Sequence, residues 1–167
     1  MEPVEINAGR YYLRLLRADD RIDDRPALLA ACADADLARW ITGGRPADLT
    51  VAGEYVRDRE DGWQADLGCC WAVAEPTTGA LIGEVRLHPL DLVTGTAGVS
   101  CWVVPERRGQ GVATEVLGAA LRFGQGALGL RRLDHRPTRD DPAASRLAAR
   151  YGFTRQDDES WQLVPAG

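Results

Sequence analysis

The alternation of apolar and polar positions lays out the elements of this chain. Residues 10–17, Arg-Tyr-Tyr-Leu-Arg-Leu-Leu-Arg, carry β-formers in partial alternation and predict a strand. Asp19 and Asp20 stand where a helix is capped, ahead of an Ala- and Leu-rich stretch at 26–32. The turn-forming run at 42–46, Thr-Gly-Gly-Arg-Pro, separates it from a second helix. Thr50 is the expected N-cap there, with Val51, Tyr55 and Val56 as the apolar stripe. Three strand-like runs follow: 68–75, a return strand at 80–87 across the turn Pro76-Thr77-Thr78-Gly79, and 97–104. A loop at 89–95 leads into the third, which Pro105 ends because proline has no N–H for a ladder. From 112 to 128 the period turns helical, with Ala113, Leu117, Ala120, Leu121, Gly124 and Leu128 on one face and Gly129 beyond the end. Glycines lower the propensity of that helix, so it depends on close packing. A strand at 131–136, a helix at 142–151 and two last strands within 153–164, around Asp157-Asp158, complete the order. It predicts a mixed α/β (α+β) sheet in a single domain over residues 1–167, without repeats or a splitting linker.

Composition narrows the class. At 167 residues, 45% hydrophobic and 27% charged, the chain is globular and long enough for a sizeable core. No apolar run reaches bilayer length, and the opening Met1-Glu2-Pro3-Val4-Glu5 is acidic with no apolar h-region. The expectation is a cytoplasmic protein with no membrane partner. Cys32, Cys69, Cys70 and Cys101 form no CxxC pair, and His88 and His135 lie far apart, so buried thiols are expected, not disulfides or a metal site. All 20 basic residues are arginine. The absence of lysine removes the Walker A loop and any Schiff-base mechanism. A net charge of -5 argues against nucleic acid and is compatible with a cationic, amine-bearing substrate.

The informative segment is residues 102–114, Trp-Val-Val-Pro-Glu-Arg-Arg-Gly-Gln-Gly-Val-Ala-Thr. A buried strand stops at proline, a glycine-bearing turn follows, and a helix begins. The first amides of that helix have no internal acceptors, and with the positive end of the helix dipole they make an anion site suited to a pyrophosphate. Gly109 and Gly111 let backbone approach phosphate oxygens, and Arg107 and Arg108 add positive charge. A Rossmann origin is excluded. Its GxGxxG follows a strand near the chain start, whereas here Gly-Gln-Gly precedes Val-Ala-Thr late in the chain.

Arg108-x-x-Gly111-x-Ala113 resembles the (Gln/Arg)-x-x-Gly-x-(Gly/Ala) signature of the GCN5-related N-acetyltransferases (GNAT). The wider run 105–117, with Ala144-Ser145-Arg146-Leu147 and Tyr151-Gly152-Phe153 after it, is similar to the ribosomal-protein N-terminal (Rim-type) branch. The resemblance spans residues 10–153. It implies a mostly antiparallel sheet with splayed central strands and flanking helices, and acetyl-CoA as the acyl donor. Backbone of Val103 and Val104 would pair with the pantetheine arm. Arg108, Gly109, Gln110, Gly111, Val112, Ala113 and Thr114 would hold the pyrophosphate. A backbone N–H near Val103 would polarise the thioester, and a primary amine would attack it directly. The amine would belong to a protein N-terminus or a small molecule; the acyl chain length stays open, and a homodimer is compatible with the resemblance.

The chain departs from the family at three places. Ala148 replaces a tyrosine that serves the leaving thiolate, Pro142 stands where Asn is frequent, and residues 97–99 lack a frequent Glu. Ser145 remains as a donor to CoA or its thiolate, or as a helix cap. For a general base Glu84 is the best placed acid, sharing a strand face with Arg86 and His88; an exposed polar strand face or a Glu84–Arg86 pair is the favoured alternative. Trp40, Trp63 and Trp71 are core residues or walls of an acceptor pocket. The departures leave a second reading open, a catalytically idle acyl-CoA-binding sensor or assembly module.

Overall fold

A computed structural model describes residues 1–35, 37, 46–136, 141–157 and 160–164. The chain runs β1 (Ile6–Ala8), β2 (Tyr11–Arg14), α1 (Arg25–Ala33), α2 (Leu49–Gln64), β3 (Cys69–Ala74), β4 (Leu81–Asp91) and β5 (Thr96–Val103). It continues through α3 (Val112–Gly126), β6 (Arg132–His135), α4 (Pro142–Arg150), β7 (Thr154–Arg155) and β8 (Trp161–Leu163). The strands form one sheet in the order β1-β2-β3-β4-β5-β6-β8-β7. Every pairing is antiparallel except β5 with β6, which α3 connects as a crossover. The mixed, mostly antiparallel sheet expected from the sequence is present.

Several boundaries moved, each for a local reason. The first predicted strand is the second arm of a hairpin that turns at Gly9, whose φ of 72° suits glycine. It stops at Arg14, whose guanidinium turns inward to Asp24. Asp19 starts no helix; its carboxylate accepts the Arg21 and Ile22 amides in a tight turn, and α1 begins only at Arg25. Asp48, not Thr50, caps α2, accepting the Thr50 and Val51 amides. β4 continues to Asp91 through a register shift between Leu87 and Leu90, which shortens the predicted loop at 89–95. Gly98 faces that shift, and a Cβ there would meet the His88 carbonyl oxygen at 2.6 Å. Most of the turn predicted at 42–46, Trp40 and Asp158 lie outside the described residues.

The sheet has a core on each face. Trp71, Val73, Val85, Leu87, Val99 and Val103 pack on the α3 side with Val116, Leu117, Ala120 and Leu121. Cys70, Ala72 and Trp102 pack on the other side with Leu28 of α1 and Tyr55 and Val56 of α2. Trp63 and Trp71 are fully buried, their rings 5.0 Å apart edge-to-face, with Phe123 5.4 Å from Trp71; both tryptophans are core. The glycines of α3 do allow close approach: a Cβ at Gly118 would lie 2.5 Å from the Tyr151 hydroxyl. That hydroxyl donates to the Thr114 carbonyl and ties the end of α4 to α3. Among the described residues no helix is long and apolar enough to cross a membrane.

The Arg14–Asp24 pair joins the sheet to the segment that leads into α1. Both side chains are under 5% exposed, with N–O distances of 2.7 and 2.8 Å, and Asp24 also accepts the Arg17 amide. Removing one partner leaves the other as an uncompensated buried charge. Asp24→Ala is expected to cost about 3–5 kcal/mol, read as a lowered midpoint in urea denaturation. A loss below about 1 kcal/mol would show that water replaces the carboxylate.

Candidate active site

The site is built where β5 loses a neighbour. β6 pairs with β5 over four positions, from Thr96↔Arg132 to Val99↔His135, and then ends, while β5 continues to Val103 against β4. Alternate residues send their backbone groups to alternate edges of a strand. The Val104 amide donates to the Ile82 carbonyl (3.0 Å), which puts the groups of Trp102 and Val104 on the β4 side. Those of Val99, Cys101 and Val103 therefore point the other way. The Val99 carbonyl is 3.0 Å from His135 Nδ1, at the base of the fork, and the Val103 carbonyl accepts from Arg108 Nε at 3.1 Å. The backbone of Cys101 and the Val103 N–H face the opening, with no strand opposite among the described residues. The pairing of the central strands β5 and β6 stops there, at the place where the family resemblance implies a splay. Of the two residues expected to pair with a pantetheine arm, Val103 keeps its amide for the opening; Val104 has spent its own on β4.

Just beyond the fork, a short 3-10 turn at Pro105–Arg107 leads to the loop 108–111. Gly109 and Gly111 have φ of 72° and 81°, a left-handed geometry in which a side chain is strained. Gly111 occupies the N-cap of α3 and provides no side-chain cap. The helix ladder opens with the Glu115 amide donating to the Gly111 carbonyl (3.1 Å), so the amides of Val112, Ala113 and Thr114 have no acceptor within the helix. A Cβ at Gly109 would meet nothing within 4 Å, which leaves open space for an anion. Arg108, expected as a rim charge, fastens the loop to β5 through its Nε. Gln110 folds back onto the Glu106 carbonyl (3.0 Å). A residue with no local signature, Arg10, reaches this loop from the β1–β2 turn. Its Nη2 donates to the Gln110 carbonyl (3.2 Å) and its Nε to Glu115 (2.8 Å). The contact spans 105 positions of sequence, and no local pattern encodes it.

On the opposite face of the sheet Glu84 stands level with Ala72 and Trp102, beneath α2. It is 1% exposed, and the Tyr55 hydroxyl reaches both its oxygens, at 2.9 and 3.1 Å. Arg86 Nε lies 3.8 Å from it, and the Arg59 guanidinium covers the Tyr55 ring at 3.8 Å. Burial, then the Glu84 charge, pushes the Tyr55 hydroxyl well above its ordinary range. Burial likewise raises the Cys101 thiol to about 12, so it stays protonated at neutral pH. His88 is exposed while Glu84 and Arg86 are buried, so the three expected on one face differ in access to solvent. Tyr55 and Arg59 belong to this cluster. Their spacing of four on α2 is the signal that marks one helix face, but an apolar stripe has the same period.

Ser145 lies in the second turn of α4, partly exposed. Asp141 caps that helix, accepting the Ala143 and Ala144 amides at 3.0 and 2.9 Å, so the serine hydroxyl is not needed as a cap. Ala148 is buried at 1%.

A family model described as an acetyltransferase (GNAT) domain matches residues 10–154. The chain is 24% identical over 143 residues to the uncharacterized N-acetyltransferase YoaA of Bacillus subtilis strain 168, covering 86% of this chain and 81% of that one. Its fold is similar to a Vibrio cholerae structure provisionally named a ribosomal-protein-serine acetyltransferase, with a TM-score of 0.82 at 22% identity over 99% and 100% of the two chains. It is also similar to RimL, a ribosomal alpha-N-protein acetyltransferase solved with coenzyme A, with a TM-score of 0.81 at 14% identity over 96% and 98%.

His135 makes the fork sensitive to acid. Burial holds its imidazole below the ordinary 6.5, and the Val99 carbonyl opposes this only in part. Above about pH 6.5 the ring is neutral folded and unfolded; below it the unfolded chain takes up a proton that the folded chain resists. Stability is therefore expected to fall as pH drops from 6.5. His88, shifted the same way, adds to the slope. His135→Asn should make the slope shallower in urea denaturation at pH 5.5, 6.5 and 7.5; an unchanged slope would place the effect elsewhere.

Proposed function

Because the chain belongs to the GNAT acetyltransferase family, we propose that it moves an acetyl group from acetyl-CoA directly onto a primary amine. The observation that carries this reading is one short stretch of chain in which an open strand edge at Cys101 and Val103 meets an uncapped helix N-terminus behind Gly111. The edge suits an extended arm with alternating amide and carbonyl groups; the helix N-terminus suits a pyrophosphate. Amides from Gly109 to Thr114 take the phosphates, and the Val103 N–H faces the carbonyl oxygen on which charge builds as the amine attacks. Ser145, released from capping, donates a hydrogen bond to the departing thiolate. Glu84 is the base that takes the proton of the amine.

The acceptor amine belongs to a protein N-terminus or to a small molecule, and the names of the Rim-type neighbours favour the first. The reading treats residues 1–167 as one acetyltransferase domain at work in the cytoplasm, assembled as a homodimer on family likeness. A second reading, a catalytically idle acyl-CoA-binding sensor, is favoured by one observation: Ala148 puts a buried methyl where the family resemblance implies a tyrosine hydroxyl.

Acetyl-CoA at about 100 times its Kd is expected to add about 2.7 kcal/mol and to raise Tm by roughly 5–10 °C. Gly111→Val should remove that shift while circular dichroism still reports the native fold. An unchanged shift in this variant would remove the loop from the donor site. Thiol release with a panel of amines and N-terminal peptides separates enzyme from sensor: binding without turnover on any acceptor supports the sensor. If Ser145 serves the thiolate, Ser145→Ala should lower kcat at least tenfold with little change in the Kd of CoA. A loss confined to Kd would make it a binding residue.

A further inference from the structure

The contact between Arg10 and Glu115 has a chemical consequence for the donor site. Glu115 is the acidic residue in the first turn of α3, next to the uncapped amides. A carboxylate there stabilises an isolated helix but opposes a second anion at the same place. In this chain its charge is occupied. The Arg10 backbone amide donates to Oε2 at 3.0 Å, and Nε and Nη2 donate to Oε1 at 2.8 and 2.5 Å. The same Nη2 holds the Gln110 carbonyl, drawing another negative pole away from the loop. A Cβ at Gly9 would meet Glu115 Oε2 at 3.0 Å and one at Gly111 would meet Arg10 Nη2 at 3.4 Å, so the β1–β2 turn lies directly against the loop.

We propose that Arg10 is a positioning residue that holds the Glu115 carboxylate and the Gln110 carbonyl off the N-terminus of α3, so that the site is electrostatically open to the phosphates of the donor. The inference rests on the donor-site reading above. It assigns the amino-terminal hairpin, outside the signature loop, a part in donor affinity. Arg10 does so as a shield and not as a phosphate ligand: its Nε and Nη2 are engaged with Glu115 and Gln110, and what it changes is the charge that a phosphate meets.

The shield differs from a plain staple in a double variant. Arg10→Ala should weaken CoA binding about three- to fivefold, the scale of one charge at a helix N-terminus, by calorimetry at low salt. That deficit should shrink in 0.5 M salt. Glu115→Gln should bind CoA as tightly as the unaltered chain or more tightly. The double variant R10A/E115Q should return to within about twofold of it, although the contact is absent, because the repelling charge has gone with its partner. Tm without ligand, measured for all three, follows any loss of stability separately. A double variant as weak as Arg10→Ala, or a normal Kd for Arg10→Ala, overturns the inference alone. Absence of CoA binding by the unaltered chain overturns the donor-site reading and the inference with it.

Discussion

The donor side of this molecule depends on one constraint: backbone amides taken out of water need partners, and β5 is given partners along only half of one edge. Up to Val99 parallel pairing with β6 satisfies that edge. Beyond it Arg108 takes the Val103 carbonyl, and no strand among the described residues faces the remaining groups. A strand edge of this kind usually invites unwanted pairing. Here it is short, lies inside the sheet, and is bounded below by His135 and above by the loop 108–111. The same constraint recurs at α3, where the missing cap at Gly111 leaves amides unfilled. Two adjacent deficits of hydrogen-bond acceptors, one linear and one at a point, match an arm that ends in a pyrophosphate.

The two faces of the sheet divide the chemistry. The α3 face is apolar, with aromatic rings packed edge-to-face, and provides a rigid support for the fork. The α1–α2 face admits charge: Glu84, Arg86 and Arg59 are all buried there. Burial of that kind is costly unless the groups bond one another, and the double hydrogen bond from Tyr55 meets much of the cost at Glu84. The cluster thereby fixes α2 over the centre of the sheet, next to the strand that carries the fork.

The strand, turn and helix of the candidate donor site were legible in the sequence because they are local. Proline, two glycines and a helical period within residues 102–117 specify strand, turn and helix without distant help. The run of β3, β4 and β5 was legible for the same reason, since these strands follow one another in sequence as well as in space, whereas β1 was not foreseen. What escaped notice was decided at a distance or by competition. Asp19 and Asp48 have the same capping chemistry, and only the surrounding structure assigns one to a turn and the other to α2. Arg10 looked like the first residue of a strand, because Glu115 is 105 positions away. Ser145 looked like a cap until Asp141 was seen to fill that role.

The order of the strands also bears on how the chain assembles as it is made. β1 can pair with β2, and β3 with β4 and β5, as each is completed through a short connection, whereas β2 meets β3 only across α1 and α2. β6 cannot join until α3 has crossed back over the sheet, so the fork at Val99 is a seam closed late. Synthesis proceeds from the amino terminus, and the hairpin that carries Arg10 waits through the whole meander before Glu115 emerges. The donor site thus comes into being only when the amino-terminal sheet and the crossover have met, and a nascent chain shorter than that has nothing with which to hold the coenzyme.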